Sequence, residues 1–255
     1  MSTVQPPLPN VDCWTAMQIR LIAFPVDAQG ALHQEWWHDL TGAQGESTRK
    51  LTERVDSGVV DGRNFSLFID PLRITWSADP PLPSNEMPAT PALLGSITAE
   101  CDWFTHLMDT WLAQCPAIRR LAFFGRFFQR TPTRDDSYHL LERYLPGIRV
   151  DVTGTDFLYR INRKRPAATP IAGLQLNRIC TWCGAKLSVG AFVQALGNPR
   201  STQNFAFGDT FGSIIDVDTN TAAEFDGVLP HDTLIPLFHE LKDIAVDAVA
   251  RGDAP

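Results

Sequence analysis

The chain has 255 residues, of which 44% are hydrophobic and 20% charged, and it carries a net charge of −7. This composition is typical of an ordinary globular protein, with enough residues for one large domain or two small ones. The first residues contain no basic segment followed by an apolar run, and no stretch approaches the roughly 20 apolar residues of a membrane span. Five scattered cysteines suit a reducing compartment better than a disulfide scaffold. We therefore expect a cytoplasmic protein without a signal peptide or membrane contact.

Charge is distributed unevenly along the chain. Residues 116–187 contain 13 basic and 5 acidic side chains, a balance of +8, whereas the remainder has a balance of −15. Such a segment is typical of an anion-binding face on an acidic protein. It is equally typical of a fold in which two parts neutralise each other, and both interpretations stay open.

The first third of the sequence predicts strands around one short helix. Residues 17–24 form a plausible strand, and residues 31–40 a short helix. Residues 50–76 consist of alternating segments broken by turn-forming pairs, which indicates a β-meander. Residues 79–92 hold five prolines and few apolar side chains, so we expect a loop or an internal linker there.

A long helix is the clearest element of the sequence. It begins after Ser96, a residue type that favours the N-cap, and it ends before Pro116. Its apolar positions fall on one narrow stripe. They are Ile97, Cys101, Phe104, Met108, Trp111 and Cys115.

The rest of the chain predicts strands, a short helix and a final helix. Residues 119–130 are β-like and rich in aromatic side chains, and a short helix is expected near 135–144. Further strand-like runs follow at 156–163, 174–182, 186–196 and 204–218. The last helix is amphipathic and ends near Gly252.

Hairpin-linked strands with helices between blocks of them indicate an α+β fold with a mainly antiparallel sheet. We expect a strongly curved sheet with the helices packed on one side, and possible internal symmetry in the form of two related halves. The expected division is a β-rich half at 1–78, a proline-rich linker at 79–95 and an α+β half at 96–255, or else one compact domain.

The segment Cys180-Thr-Trp-Cys183-Gly has the spacing of half a zinc-binding motif. In a strand over 174–182, however, Cys180 and Cys183 have opposite parity, so their sulfur atoms point to opposite faces unless Gly184 makes a turn. A second pair of metal ligands is also missing from the sequence. We therefore expect buried structural thiols and neither a metal nor a redox cofactor.

The sequence lacks the common catalytic motifs. It contains no GxSxG, no GxxxxGK[ST] and no GxGxxG after a strand. Asp216 and Asp218 share a strand face and would suit Mg²⁺ as ligands. Solvated or hydrogen-bonded carboxylates are the more common outcome for such a pair, and we assign no catalytic residue.

The arginine cluster is the positive functional signal. Arginine beside aromatic side chains on strands is typical of phosphate contact combined with base stacking. The same arginines would equally well pair with acidic side chains elsewhere in the fold. The candidate anion-binding residues are Arg126, Arg130, Arg160, Arg163, Lys164 and Arg165.

At RRLAFFGRF, GSIIDVDTN and LIPLFHELKD the sequence resembles a sporadically distributed bacterial family of uncharacterised proteins. The family pattern is an arginine-containing strand after a long helix, then an lDiD-like strand, then a terminal helix with a Leu-His pattern. The resemblance implies an α+β fold and a role beside neighbouring gene products, with defence against phage as one such role. It implies no catalytic residues.

These observations favour a non-catalytic accessory or regulatory subunit that binds a protein partner in a bacterial multi-component system. The alternative is a nucleic-acid-binding or nucleotide-binding protein that uses the arginine-rich middle segment. A metal-dependent hydrolase that uses Asp216 and Asp218 is the third hypothesis.

Overall fold

The structure, a computed structural model, describes residues 8–27, 30–81, 90–194 and 202–253. Within them, nine strands form one antiparallel sheet and four α-helices pack against it. The strands are β1 (Thr15–Pro25), β2 (Glu46–Arg49), β3 (Arg54–Val60), β4 (Arg63–Ile69), β5 (Ile74–Asp79), β6 (Ile118–Thr131), β7 (Leu158–Pro166), β8 (Gln175–Gln194) and β9 (Thr202–Thr221). The helices are α1 (Trp36–Thr41), α2 (Ile97–Leu112), α3 (Arg134–Tyr144) and α4 (Leu234–Arg251). The predicted α+β fold with an antiparallel sheet is confirmed.

The strand order is β2-β3-β4-β5-β1-β6-β9-β8-β7. The first five strands of the chain join the last four through the pairing of β1 with β6. β1 is therefore the middle strand of the sheet, and β2 and β7 are its edges. The division of the chain at 79–95 stays a prediction, as do strong curvature and two related halves, and residues 82–89 of the proposed linker lie outside the described part.

The two faces of the sheet differ in what covers them. In β1, Ile19, Leu21 and Ala23 are fully buried, whereas the alternate residues are half-buried. Aromatic side chains of α1, α2 and α4 contact the strands on the side of the buried residues. We call this side the helix face. The opposite side, which carries Arg20 of β1 and its cross-strand neighbours, is called the open face.

The long amphipathic helix packs on the helix face as its sequence predicts. All six members of the predicted apolar stripe are buried, including Phe104 and Trp111. The Trp111 ring meets the rings of Trp36 in α1 and Trp76 in β5 edge to face. Burial of this stripe, rather than helix propensity, accounts for the stability of α2.

The prediction of one helix over residues 31–40 is wrong. The chain forms a 3-10 helix at Gly30–His33 and the separate α-helix α1. The buried side chain of Arg54 explains the break, because its guanidinium donates to the carbonyl oxygens of Leu32 and Gln34. A continuous helix would use these carbonyls for its own hydrogen bonds.

The two strands predicted at 174–182 and 186–196 are one strand, β8, as far as the described residues extend. β8 passes straight through Gly184, which is paired with Ser213 of β9. A Cβ atom added at Gly184 would lie 2.4 Å from the ring of Tyr138. Glycine therefore permits the close approach of α3 to the strand, and it makes no turn.

Candidate functional site

The open face is rich in basic side chains on one half of the sheet. Strand register places six of them on β1, β6 and β7, against two aspartates on β9. The basic residues are Arg20, Arg120, Arg126, Arg130, Arg160 and Lys164, and the aspartates are Asp216 and Asp218. No described α-helix has a ring contact with this face. The open face therefore combines basic side chains with the aromatic rings of Phe24 and Phe124.

Arginine and phenylalanine side chains stack across β1 and β6. The Arg20 guanidinium carbon lies 5.7 Å from the centroid of the Phe124 ring, and that of Arg120 lies 5.1 Å from the Phe24 ring. Both rings are half-buried. Such stacks hold a guanidinium in a fixed orientation and add cation–π attraction.

Arg20 lies at the centre of this face, on the middle strand of the sheet. Within the described part of the chain it makes no ion pair, and its Nε is buried without a hydrogen-bond partner. Burial lowers the pKa of Arg20, while Asp79 opposes the shift and Arg126 adds to it. The nearby Asp79 carboxylate is already bound, because it accepts hydrogen bonds from Gln18 and Ser77.

Arg126 is held by a bidentate ion pair. Its Nε and Nη2 donate to the two carboxylate oxygens of Asp216 at 2.7 and 2.8 Å. This hydrogen-bonded carboxylate raises the pKa of Arg126. The pair neutralises one of the candidate anion-binding residues and one of the candidate metal ligands together.

Asp218 ends a ladder of amide side chains that crosses three strands. Asn162 donates to Asn177 at 3.0 Å, Asn177 donates to Asn220 at 2.9 Å, and Asn220 donates to Asp218 at 2.8 Å. Asn177 is directly opposite Asn220, whereas Asn162 reaches Asn177 diagonally, so the ladder supports the register of β7, β8 and β9. Asp216 and Asp218 therefore lie on one face, as the sequence predicts, and each is a hydrogen-bond acceptor there.

The six candidate anion-binding residues are divided between the two faces. Arg126, Arg130, Arg160 and Lys164 lie on the open face, whereas Arg163 and Arg165 lie on the helix face. The structure thus brings four of the six to one side of the sheet. Whether any of them binds an anion stays a prediction.

Four of the six meet a carboxylate. Besides Arg126, Lys164 Nζ lies 2.5 Å from Glu224 and Arg165 Nη2 lies 3.9 Å from Glu240. Arg163 makes two hydrogen bonds to Asp253, at 2.7 and 3.0 Å. These bonds raise the pKa of Arg163. Arg130 and Arg160 are exposed and make no ion pair within the described residues.

A cleft of about 1320 Å³ lies between β7 and α4. One wall consists of Asn162, Arg163, Lys164 and Arg165, four consecutive residues of β7. Consecutive residues of a strand alternate in direction, so the cleft follows the edge of the strand. The other wall is the flank of α4.

Cys180 and Cys183 point to opposite faces, as their parity predicts. Cys180 is buried on the helix face, and burial raises the pKa of its thiol to about 12. Cys183 lies on the open face beside Arg126 and Asp216, and burial raises its pKa as well. The described residues contain no cluster of three or more histidine, cysteine or acidic side chains placed to hold a metal ion.

Sequence reasoning missed Arg20 as a site residue. The signal was present in residues 17–24, because in a strand Arg20 has the opposite parity to Ile19 and Leu21. Arg20 lies outside residues 116–187, where the basic side chains are concentrated.

No helix of the described residues is both long and apolar enough to cross a membrane. No protein-family model matches the sequence, and no curated protein matches it. The geometry of the open face and of the β7–α4 cleft therefore carries the functional interpretation.

Proposed function

We propose that the protein is a non-catalytic accessory or regulatory subunit that binds a protein partner through the open face of its sheet. The observation that carries the proposal is Arg20, a half-buried guanidinium on the middle strand. It is oriented by Phe124 and makes no ion pair with a carboxylate of the described chain. A carboxylate supplied by a partner would act as its counter-ion.

The chemistry of the surrounding surface supports a protein interface. Arginine and aromatic side chains dominate the binding energy of protein interfaces, particularly near their centres. Here Arg20, Phe124 and Arg126 are neighbours on two adjacent strands. Charge-assisted hydrogen bonds from an oriented arginine would add specificity for an acidic residue of the partner.

The distribution of charge supports a protein partner over a polyanion. Four of the six candidate anion-binding residues already contact carboxylates of the same chain. Outside residues 116–187 the chain has a balance of −15, which repels a polyanion beyond a small footprint. A location in the cytoplasm and a place in a bacterial multi-component system, including defence against phage, belong to the same proposal and derive from the sequence.

The test is recovery of the native complex with matched charge reversals. Tagged wild-type protein, Arg20→Glu and Lys50→Glu are expressed at native level in the source organism, and the proteins that co-purify are quantified by mass spectrometry. Lys50 is exposed in a surface turn, where it pairs with Glu53, so its reversal is the control.

We expect one protein to be recovered in near-equal amount with the wild type and with Lys50→Glu, and to be lost with Arg20→Glu. The same protein, purified, should then bind the wild type and not the Arg20→Glu variant in titration. Equal recovery with Arg20→Glu, from a variant that remains folded, would show that the open face is not the binding surface.

A nucleic-acid-binding role is the second candidate, because Arg130 and Arg160 are exposed and without a counter-ion in the described structure. Labelled single-stranded and double-stranded oligonucleotides are titrated at about 50 and 200 mM salt, the range over which phosphate contacts weaken strongly. The proposed function predicts no sub-micromolar binding at either salt concentration. Salt-sensitive binding that is lost in Arg130→Ala with Arg160→Ala would favour this second role.

A further inference from the structure

The outer edge of β7 is a further surface with the chemistry of a binding site. β7 is the last strand in the order and pairs with β8 on one side. Among the described residues, no strand pairs with its other side. An edge strand presents a row of backbone N–H and C=O groups that can pair with another extended chain.

The cleft along this edge leaves room for such a chain. It has a volume of about 1320 Å³ and is bounded by β7 on one side and α4 on the other. An edge strand next to a helix is the arrangement in which peptide-binding domains accept an extended segment as an additional strand. The backbone of the segment would pair with β7, and its alternate side chains would face α4.

On the open-face side of the edge, basic side chains of β7 favour an acidic segment. Arg160 and Lys164 are exposed there and are separated by Asn162, so they recur with the period of a strand. A residue of an added strand lies directly opposite its neighbour, and opposite charges in such pairs stabilise the sheet. The contact of Lys164 with Glu224 joins two exposed side chains, a kind of pair that contributes little and is readily exchanged.

Acidic side chains of α4 face the alternate residues of the added segment. Asp243 and Asp247 line the helix wall of the cleft; Asp243 is exposed, and Asp247 is half-buried and pairs with Arg251. They repel acidic residues on that side of an added strand. Arg163 and Arg165 lie on the same side of β7 and already meet Asp253 and Glu240, so this side suits neutral residues. The preferred segment therefore alternates, with acidic side chains on the open-face side.

A second copy of the same chain is disfavoured at this edge. Two β7 strands paired antiparallel about Asn162 would place Arg160 of one copy opposite Lys164 of the other. Like charges directly opposite each other destabilise a strand pair. In this register the charges of β7 thus oppose self-association, whereas they favour an acidic strand.

We propose that β7 accepts an extended, alternating acidic segment of a partner protein as a tenth strand, seated in the cleft beside α4. This inference rests on the proposed function in that the occupant is a protein. It concerns a different part of the sheet, since Arg20 lies four strands away from β7 in the middle of the sheet.

The probe is a fluorescent nine-residue peptide of alternating glutamate and threonine, which matches the length of β7. Two further peptides serve as controls, one with lysine in place of glutamate and one with the same composition but with the glutamates grouped together. The protein variants are Arg160→Glu combined with Lys164→Glu, and Lys50→Glu as the matched surface reversal.

We expect the alternating glutamate peptide to bind the wild type and Lys50→Glu. The double variant should weaken this binding by about tenfold or more and should strengthen binding of the lysine peptide, because two cross-strand charge pairs change sign. Both residues are exposed, so the double variant should remain folded. Amide hydrogen exchange of residues 158–166 should slow when the glutamate peptide binds.

Three results would overturn the inference. They are no binding of the alternating peptide at low salt, equal affinity for the grouped peptide, or binding that leaves hydrogen exchange in β7 unchanged. If one of these results is obtained while recovery of the partner still requires Arg20, the edge site is excluded and the proposed function stands. If the partner is lost with the Arg160→Glu, Lys164→Glu double variant but retained with Arg20→Glu, the edge site stands and binding through Arg20 is excluded.

Discussion

At the scale of single residues, Asp253 ties the end of the chain's last helix to the sheet. It follows α4 directly and is 8% exposed. Its carboxylate accepts two hydrogen bonds from Arg163 and one from Tyr159 at 3.0 Å, and Arg178 lies 3.9 Å away. One acidic side chain thus neutralises basic residues of both β7 and β8.

We predict that Asp253→Ala lowers the free energy of unfolding by about 2 kcal/mol, because a partly buried guanidinium and a phenol lose a charged acceptor. Urea denaturation measures the change. The control is Asp247→Ala, whose carboxylate pairs with Arg251 at the surface and should contribute less than about 0.5 kcal/mol. Equal effects of the two substitutions would show that Asp253 has no structural role of this kind.

The buried thiols give the molecule a predictable response to alkaline pH. The pKa of Cys180 is raised to about 12 by burial, so its thiol stays protonated in the folded state. In the unfolded chain a cysteine ionises near about 8.5. The stabilising contribution is therefore complete below about pH 8.5 and is lost progressively as the pH rises toward 12.

We predict that the wild type loses about 1 kcal/mol more stability between pH 8 and 9.5 than Cys180→Ala does. The quantity compared is the pH dependence of the unfolding free energy, so the cost of the substitution itself cancels. Cys13 is exposed, so Cys13→Ala serves as the control for the removal of a thiol. An unchanged pH dependence in Cys180→Ala would contradict the assigned protonation.

At the scale of elements, the N-termini of α2 and α3 differ in how they are stabilised: one by a tertiary backbone contact, the other by local side-chain capping. Thr133 caps α3 with a reciprocal pair of hydrogen bonds. The backbone N–H of Asp136 donates to the Thr133 hydroxyl, and the backbone N–H of Thr133 donates to the Asp136 carboxylate. Ser96 occupies the N-cap of α2, as expected from the sequence, yet its side chain makes no capping hydrogen bond. The backbone at Ser96 instead forms a bridge with Thr15 of β1.

We predict that Thr133→Ala costs about 1 kcal/mol of stability, the usual contribution of an N-cap hydrogen bond. Ser96→Ala should change the unfolding free energy by much less, since no side-chain hydrogen bond is lost. Thermal or urea denaturation of the two variants provides the comparison. If the two costs are equal, the capping geometry at one of these helices is incorrect.

The sequence predicts elements well where a periodic apolar pattern decides them. The α2 stripe, the alternation in β1 and the opposite parity of Cys180 and Cys183 all follow from residue spacing alone. It fails where a distant side chain decides the backbone. Arg54 divides the helix expected over 31–40, and the approach of Tyr138 explains why Gly184 lies within a strand. Neither contact is visible in the local sequence.

In the candidate site, too, residue spacing predicts the face of each side chain, whereas its partner depends on tertiary structure. Parity places Arg160 and Lys164 on one face and Arg163 on the other, which the sequence predicts. The identity of the carboxylates that neutralise them depends on tertiary structure, since Asp253 and Arg163 are 90 residues apart. Arg20 was missed because a single arginine in an apolar strand carries no charge pattern.

At the scale of the whole molecule, one sheet with helices on one side presents its other side as a surface. Antiparallel sheets commonly bury one face and expose the other to water or to a partner. Here the open face combines a central arginine without a described counter-ion with Arg126 and Lys164, which already meet carboxylates. This combination favours recognition of a discrete acidic group on a protein over general attraction of a polyanion.

Hydroxyl-radical footprinting of the native complex tests this account most directly. Phe24 and Phe124 lie half-buried on the open face beneath Arg120 and Arg20, where a partner would cover them. We predict that oxidation of both rings falls severalfold in the complex, while oxidation of the exposed Leu51 and Leu72, in surface turns, is unchanged. Unchanged oxidation of Phe24 and Phe124, with protection elsewhere on the molecule, would contradict binding through the open face.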